Sequence, residues 1–367
     1  MSDSICRWGI LSTAGIARKN WQAIRNSGNG TIVAVASRSV EKAQAFIDEN
    51  SAMVSFPEAP RALGSYEELL ASDDVDAVYI PLPTGVRKEW VLKAAEAGKH
   101  IMCEKPCGIH AEDLKEMIAA CEKAGAQFMD GVMFMHSKRL DAVREVLNDG
   151  ESIGDIKRIA SQFSFLAPQE FLDGNIRVHS GLEPQGVLGD LGWYTLRIAL
   201  WTMKYAMPKR LSSRLISGHG REDSPDQVPT EFSTELFFDG GVSASFYVSF
   251  LTEHQQWVHI SGTKGNLLIS DFVLPYFDSE VAFDVHNAHF DLNGCQFNME
   301  RHSRRVAVKE FANNHANAQE TKLFRNFASL ALGGKPDPHW PDIALKTQIL
   351  MDACLESARA DGKMIEL

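Results

Sequence analysis

The run Ile101-Met102-Cys103 is short and wholly apolar, and it stops abruptly at Glu104-Lys105-Pro106. An amphipathic stretch from Glu89 to Ala97 precedes it and ends at Gly98, so the pair reads as a helix followed by a strand. A brief apolar run without polar alternation belongs to a strand buried on both faces, as in a parallel sheet. In open parallel sheets ligands lie beyond the carboxyl ends of the strands. Glu104 and Lys105 therefore emerge where a ligand would lie. Pro106 fixes the backbone behind them, and X-Pro is the bond type that adopts the cis form. In isolation a surface Glu-Lys pair before a turn would look the same.

The stretch gains meaning from what precedes it. Arg7 to Leu11 starts as a strand, Ser12-Thr13-Ala14-Gly15 is a turn of small residues, and Ile16 opens a helix that runs to about Asn26. Such a turn can hold a diphosphate with backbone N–H groups and the helix dipole. Set against G-x-G-x-x-G/A, the motif positions read Ser12, Ala14 and Ala17, so small size is kept where glycine is not. Thr31 to Ala36 forms the second strand and ends in Ser37-Arg38-Ser39, with Lys42 one turn on. An NAD site places an acid near there to hold the ribose 2′-OH. A hydroxyl and two cations suit a 2′-phosphate instead, which favours NADP over NAD. A helix start capped by Ser would account for the same residues. Ser65 to Glu68 carries a helix cap. Asp76 to Ile80 is a further buried strand, ending in Pro81-Leu82-Pro83-Thr84 with Arg87 just inside the next helix. Ala111 to Ala124 is helical, and Gln127 to His136 is expected to carry the next strand, with Met129, Met133 and Met135 as core filler. Repeated βα alternation to residue 136 predicts a doubly wound α/β Rossmann domain, residues 1–136.

Residues 137–367 differ in character. Strands dominate from Glu231, and two hairpins are legible at Asp239-Gly240-Gly241 and Thr263-Lys264-Gly265. Helices are expected at Leu140–Leu147, Ala318–Leu332 and Pro341–Ala360. The prediction is an α+β domain with a large, mostly antiparallel open sheet, which binds substrate and mediates oligomerisation. A homodimer or homotetramer is expected, on the ground that an open sheet face would otherwise expose too much apolar surface.

Composition removes several classes. A net charge of -11 argues against nucleic-acid binding, which needs a basic patch. No apolar run approaches the roughly 18 residues of a membrane span, and the N-terminus shows no basic-then-apolar leader. The six cysteines are scattered, and Cys103 and Cys107 lack the second close pair of a zinc site, so no metal and a reducing, cytoplasmic setting are expected.

Taken together, the small-residue turn, Tyr79-Ile-Pro-Leu-Pro-Thr84, Ala94 through Glu104-Lys105-Pro106, and Gly189-Asp190-Leu-Gly-Trp193-Tyr194 resemble the Gfo/Idh/MocA oxidoreductases over nearly the whole chain. The last motif is similar to the branch holding dimeric dihydrodiol dehydrogenases, NADP-dependent xylose dehydrogenases and glucose-fructose oxidoreductase. The resemblance implies hydride transfer between a bound nicotinamide dinucleotide and a hydroxyl or carbonyl carbon of a sugar, polyol or trans-dihydrodiol. It places Gly9, Ser12, Thr13, Ala14, Gly15, Ile16, Ser37, Arg38, Lys42, Pro81, Pro83, Thr84, Arg87, Glu104 and Lys105 at the cofactor. Many members have Asn and His where this chain has Thr84 and Arg87. The same family includes glycosidases that use NAD as a transient hydride shuttle, and regulators that bind dinucleotide without turnover. The basic Ser37-Arg38 strand end argues against the first, and the presence of Lys105, Asp190 and Tyr194 against the second.

The chemistry asks for a group that exchanges the alcohol proton. An isolated tyrosine, near 10, is too weak an acid, and a neighbouring ammonium would lower that value. Asp190 and Tyr194 are spaced i, i+4 and share a helix face, on a helix expected to start near Leu188. Tyr194 is therefore expected as general acid/base, with Lys105 tuning it and binding the reacting oxygen, and Asp190 holding Lys105 or a neighbouring substrate hydroxyl. In a close variant Lys105 carries the proton itself. Arg177, Trp193 and His136 are expected to line the substrate pocket.

Overall fold

The computed structural model describes residues 5–367. Its first half alternates strand and helix: β1 (Cys6–Leu11), α1 (Gly15–Ser27), β2 (Gly30–Ala36), α2 (Val40–Met53), β3 (Arg61–Leu63), α3 (Tyr66–Leu70), β4 (Ala77–Ile80), α4 (Thr84–Glu96), β5 (His100–Cys103), α5 (Ala111–Ala124) and β6 (Phe128–Asp130). The strands form one parallel sheet in the order β3-β2-β1-β4-β5-β6. The strand order reverses between β1 and β4, which opens the crevice where such sheets take ligands. β4 is buried along its whole length, and so is β5 from Ile101 on, as their unbroken apolar runs require. Local signals set the helix ends. Ser65 accepts from the Glu68 N–H to cap α3 at 3.1 Å, and α5 carries Glu112 and Asp113 in its first turn and stops at Gly125 with φ 66°. The Lys105–Pro106 bond is cis.

The expected strand through His136 is shorter than its apolar pattern suggested. β6 ends at Asp130, and Met133–His136 forms a single tight turn of helix.

The second half comprises α6 (Lys138–Asn148), β7 (Ile156–Leu166), α7 (Gln169–Gly174), α8 (Trp193–Thr202), β8 (Arg210–His219), β9 (Val228–Phe237), β10 (Ser243–Ser249), β11 (Leu251–Gly262), β12 (Asn266–Ile269), β13 (Val281–Asn293), β14 (Gln296–Val308), α9 (Gln319–Leu332), α10 (His339–Arg359) and β15 (Ile365–Glu366). Nine strands make one open sheet in the order β14-β13-β12-β11-β7-β10-β9-β8-β15. β7 and β10 run parallel and the other pairs are antiparallel. Both predicted hairpins form, β9–β10 and β11–β12. Helices α6, α8 and α10 pack against this sheet. α9 returns to the first sheet, where Phe324 and Phe327 meet Trp8 at ring separations of 5.3 and 5.0 Å.

The free face of the second sheet is mixed, with half-buried Ala160, Phe237, Trp257 and Leu268 among polar groups. Arg158 pairs there with Glu235 and donates to Ser243 and Ser245, and Tyr247 and His259 are half-buried around them. Exposed apolar groups cluster on the far half of the β13–β14 hairpin, where Phe290, Leu292, Phe297 and Met299 are 53–74% exposed, and others such as Leu215, Ile216 and Phe277 stand apart from them. Among the described residues no helix is long and apolar enough to cross a membrane.

Candidate active site

The site forms where the carboxyl ends of β4 and β5 face α8. A cavity of about 840 Å³ opens there, bounded by Ala14–Ile16, Pro81–Pro83 and Glu104–Pro106 on one side and by Arg177, Asp190 and Tyr194 on the other. The chain reaches α8 through a wide π-type turn, Leu188–Gly192, a distortion common at functional sites. Asp190 lies in that turn and Tyr194 one turn on, so both face the cavity as their spacing predicted.

Lys105 crosses from the first sheet to meet them. Its Nζ donates to Asp190 Oδ1 at 2.7 Å and to the Asp190 carbonyl at 2.6 Å. It lies 4.8 Å from the centre of the Tyr194 ring, over its face. Arg177 Nε holds the other carboxylate oxygen, Oδ2, at 3.0 Å. Buried between two cations, Asp190 stays ionised. Burial alone would raise its pKa, but Arg177 and then Lys105 outweigh that and hold it well below the usual carboxylate range. Arg177 is raised in return, chiefly by Asp190.

Tyr194 behaves contrary to expectation. Its pKa is pushed well above 10, first by burial and then by the carboxylates of Glu104 and Asp190, with Arg177 opposing. The lysine lies against the ring face, and the hydroxyl has Met133 Sδ as its neighbour at 3.9 Å. Met133, expected as core filler, thus lines the site.

Glu104 is held from behind. Its Oε1 accepts from the Tyr79 hydroxyl at 2.5 Å, and that hydroxyl accepts from Asn20 Nδ2 at 2.7 Å. Gly131 leaves the space the carboxylate fills, since a Cβ there would stand 3.0 Å from Glu104 Oε1.

Several expected contacts fall elsewhere. Trp193 is fully buried outside the cavity, with Nε1 donating to Asp130 at 3.0 Å, because one step along a helix turns a side chain about 100° from its neighbour. His136 also points away from the cavity. It stacks on Trp340 at 4.6 Å, and its Nε2 is buried without a partner. Gly9 is a packing glycine inside β1, where a Cβ would meet Leu69 at 2.5 Å. Arg87 borders the crevice and Thr84 lies buried just behind Pro83, and both spend their polar atoms on protein. Thr84 donates to Glu183 at 2.6 Å, and the buried Arg87 guanidinium bonds the Leu82 and Pro106 carbonyls. Glu183 thereby caps α4 from the second half of the chain, a role no local motif announced. Phe163, Phe165 and Phe171 add an aromatic wall to the cavity.

The crevice fits a dinucleotide. α1 starts without a side-chain cap and with no acid in its first turn, so the Gly15 and Ile16 N–H groups and the helix dipole can serve a phosphate. Gly15 has open space where a Cβ would stand. Ser12, at the first motif position, takes φ 112°, a conformation glycine usually supplies. At the neighbouring end of β2, Ser37 is buried, Ser39 caps α2, and Arg38 and Lys42 pair with no carboxylate among the described residues.

A dinucleotide crevice facing a lysine–aspartate–tyrosine cluster defines a Rossmann-fold oxidoreductase, and comparison with known proteins agrees. Residues 6–132 match the model of an oxidoreductase family with an NAD-binding Rossmann fold, and residues 140–268 match the GFO/IDH/MocA C-terminal domain. The chain belongs to the Gfo/Idh/MocA oxidoreductase family. It is 33% identical to an NADP-dependent D-xylose 1-dehydrogenase of Haloferax volcanii, over 71% of this chain and 74% of that one. It is 30% identical to the trans-1,2-dihydrobenzene-1,2-diol dehydrogenase of Bos taurus, over 72% and 74%. Among solved structures, an aldose-aldose oxidoreductase from Caulobacter crescentus superposes with a TM-score of 0.81 at 21% identity, covering 99% of this chain and all of that one, a likeness of fold.

Proposed function

We propose that the protein is an NADP-dependent dehydrogenase/reductase acting on a CH–OH or carbonyl carbon of a sugar, polyol or trans-dihydrodiol. The observation that carries this reading is the meeting of Lys105 with Asp190 and Tyr194, from opposite halves of the chain, in the crevice at the strand ends. Relatives named for NADP and for these substrates support it. Residues 1–136 serve as the dinucleotide-binding domain and 137–367 as the substrate-binding and oligomerising domain.

Ala14, Gly15 and Ile16 would hold the diphosphate, Arg38 and Ser37 the 2′-phosphate, and Pro81, Pro83 and Glu104 the nicotinamide end. When bound, the nicotinamide supplies or accepts the hydride. The protein handles the proton and the charge on oxygen. Tyr194, kept protonated by its buried setting, donates its phenolic proton to a carbonyl oxygen. Lys105, fixed by Asp190, offsets negative charge developing on that oxygen. In the reverse direction the hydroxyl proton needs a phenolate, which burial disfavours. Oxidation is therefore expected to accelerate as pH rises toward 10 while reduction does not, and initial rates in both directions from pH 7 to 10 check this. Arg177 steadies Asp190 at the substrate end, beside the aromatic wall.

The decisive experiment is a panel of aldoses, polyols and dihydrodiols run with NADP and NAD, on wild type, Lys105→Met and Tyr194→Phe. Loss of turnover in both variants, with NADPH binding near normal, is the expected result. Unchanged turnover in Lys105→Met would overturn the scheme. A Tyr194→Phe enzyme that kept its rate would move the proton to Lys105.

A further inference from the structure

α8 and the π-type turn that leads into it present two faces, each marked by a pair four residues apart. Asp190 and Tyr194 face the cavity. Trp193 and Arg197 face Asp130, the last residue of β6, and all three are buried to within 1%. Asp130 Oδ2 accepts from Trp193 Nε1 at 3.0 Å and from Arg197 NH2 at 2.6 Å, and Oδ1 accepts from Arg197 NH1 at 3.3 Å. Arg197 Nε donates to Thr347 of α10 at 2.8 Å, so every arm of the guanidinium is engaged. Asp130 is also the register partner of Cys103, the end of β5, and the Gly131 N–H donates to the Cys103 carbonyl at 2.8 Å. The group that anchors α8 thus stands one strand away from the residues that carry Glu104 and Lys105.

We infer that Asp130, Trp193 and Arg197 are positioning residues: they set the register of α8 against the strand ends and so fix the spacing of Tyr194 from Lys105. None touches the cavity, and each acts through the helix or strand it belongs to. A buried ion pair is a poor source of stability compared with apolar residues of similar volume. A planar guanidinium gripping one carboxylate, with an indole N–H on the same oxygen, sets direction and distance, which an apolar contact does not. Displacements of about 1 Å at a reacting centre cost on the order of 100-fold in rate.

This inference rests on the proposed activity for its kinetic readout, so the test pairs that with a geometric one. The double variant Asp130→Leu/Arg197→Met removes the pair without stranding a charge, and Trp193→Phe removes one donor conservatively. For each, kcat, KM, NADPH affinity, thermal midpoint and a crystal structure are compared with wild type. The expected result is a kcat at least tenfold lower in the double variant and about threefold lower in Trp193→Phe. KM and NADPH affinity stay within twofold, and the distance from Lys105 Nζ to the Tyr194 ring widens from 4.8 Å. Retention of kcat overturns the inference, and so does a fall in kcat with that distance unchanged. If the double variant does not fold, Trp193→Phe decides by the same criteria. A wild type inactive on the whole substrate panel would sink the proposed activity, while the crystallographic distance would still test the register.

Discussion

Arg38 is the residue on which cofactor choice turns. It stands at the end of β2 beside a buried Ser37, and no carboxylate among the described residues competes for it. A charge-assisted hydrogen bond is worth about 1.5–3 kcal/mol, or roughly 10- to 100-fold in affinity. Arg38→Asp is expected to weaken NADPH by that factor and to leave NADH unchanged or improved, as fluorescence titration of both would show. His136 offers a second test at this scale. Burial, with the charges of Arg197 and Lys322, pushes its pKa from 6.5 down to about 3. The unfolded ring therefore takes a proton below about 6.5 that the folded ring refuses until about 3, so stability falls as pH drops through that window. The slope contributed is up to about 1.4 kcal/mol per pH unit. Urea denaturation from pH 7 to pH 4 should show it, and His136→Phe, which can keep the stack on Trp340, should flatten it.

Among the elements, those built from local signals were legible in advance. α5 matches its predicted bounds because acids, an amphipathic face and Gly125 all mark it. β5 and the hairpins β9–β10 and β11–β12 follow from apolar runs and glycine turns. The shared face of Asp190 and Tyr194 was readable from spacing, and its place at the crevice from the resemblance. Elements joined by long-range contacts were not. Nothing near Thr84 discloses that Glu183 will cap α4, and nothing near Trp193 that Asp130 will draw it out of the pocket. The α4 junction also depends on Gly85, whose N–H donates to the Leu182 carbonyl at 2.9 Å and whose missing side chain lets the Gly181 carbonyl approach. Gly85→Val is expected to force that loop away and move the wall that continues to Asp190. The cost should be about 1–3 kcal/mol of stability, as for other overpacked contacts. KM should rise more than the NADPH dissociation constant, and steady-state kinetics beside a denaturation curve would separate the two effects.

At the scale of the whole molecule the question is what covers the hairpin arm. β13 and β14 pair from Val281↔Val308 out to Asn293↔Gln296, and β14 is the outer edge of the sheet. Beyond Asn287 the arm stands in solvent. Phe290 opposes Met299 and Leu292 opposes Phe297, so all four lie on one face, while His289, Asp291, Asn298 and Glu300 occupy the other. A two-stranded ribbon alone is marginal in water, and one with such a face gains most by burying it. Four side chains of this size, largely exposed, offer on the order of 500 Å² per arm. In a reciprocal two-fold contact, counting both arms and what they cover, that is of the order of the ~1,600 Å² of a standard interface. This supports a homo-oligomer on different grounds from the open sheet face first expected, which mixes Arg158, Glu235 and serines with half-buried Trp257, Phe237 and Leu268. Phe290→Ser with Phe297→Ser is expected to convert the assembly to a monomer by light scattering while turnover per chain persists, because the arm is no part of the cavity. An assembly unchanged by those substitutions would place the interface on another surface. A wild-type chain monomeric at micromolar concentration would leave the arm to a different occupant, and liposome flotation would then show whether a lipid surface takes it.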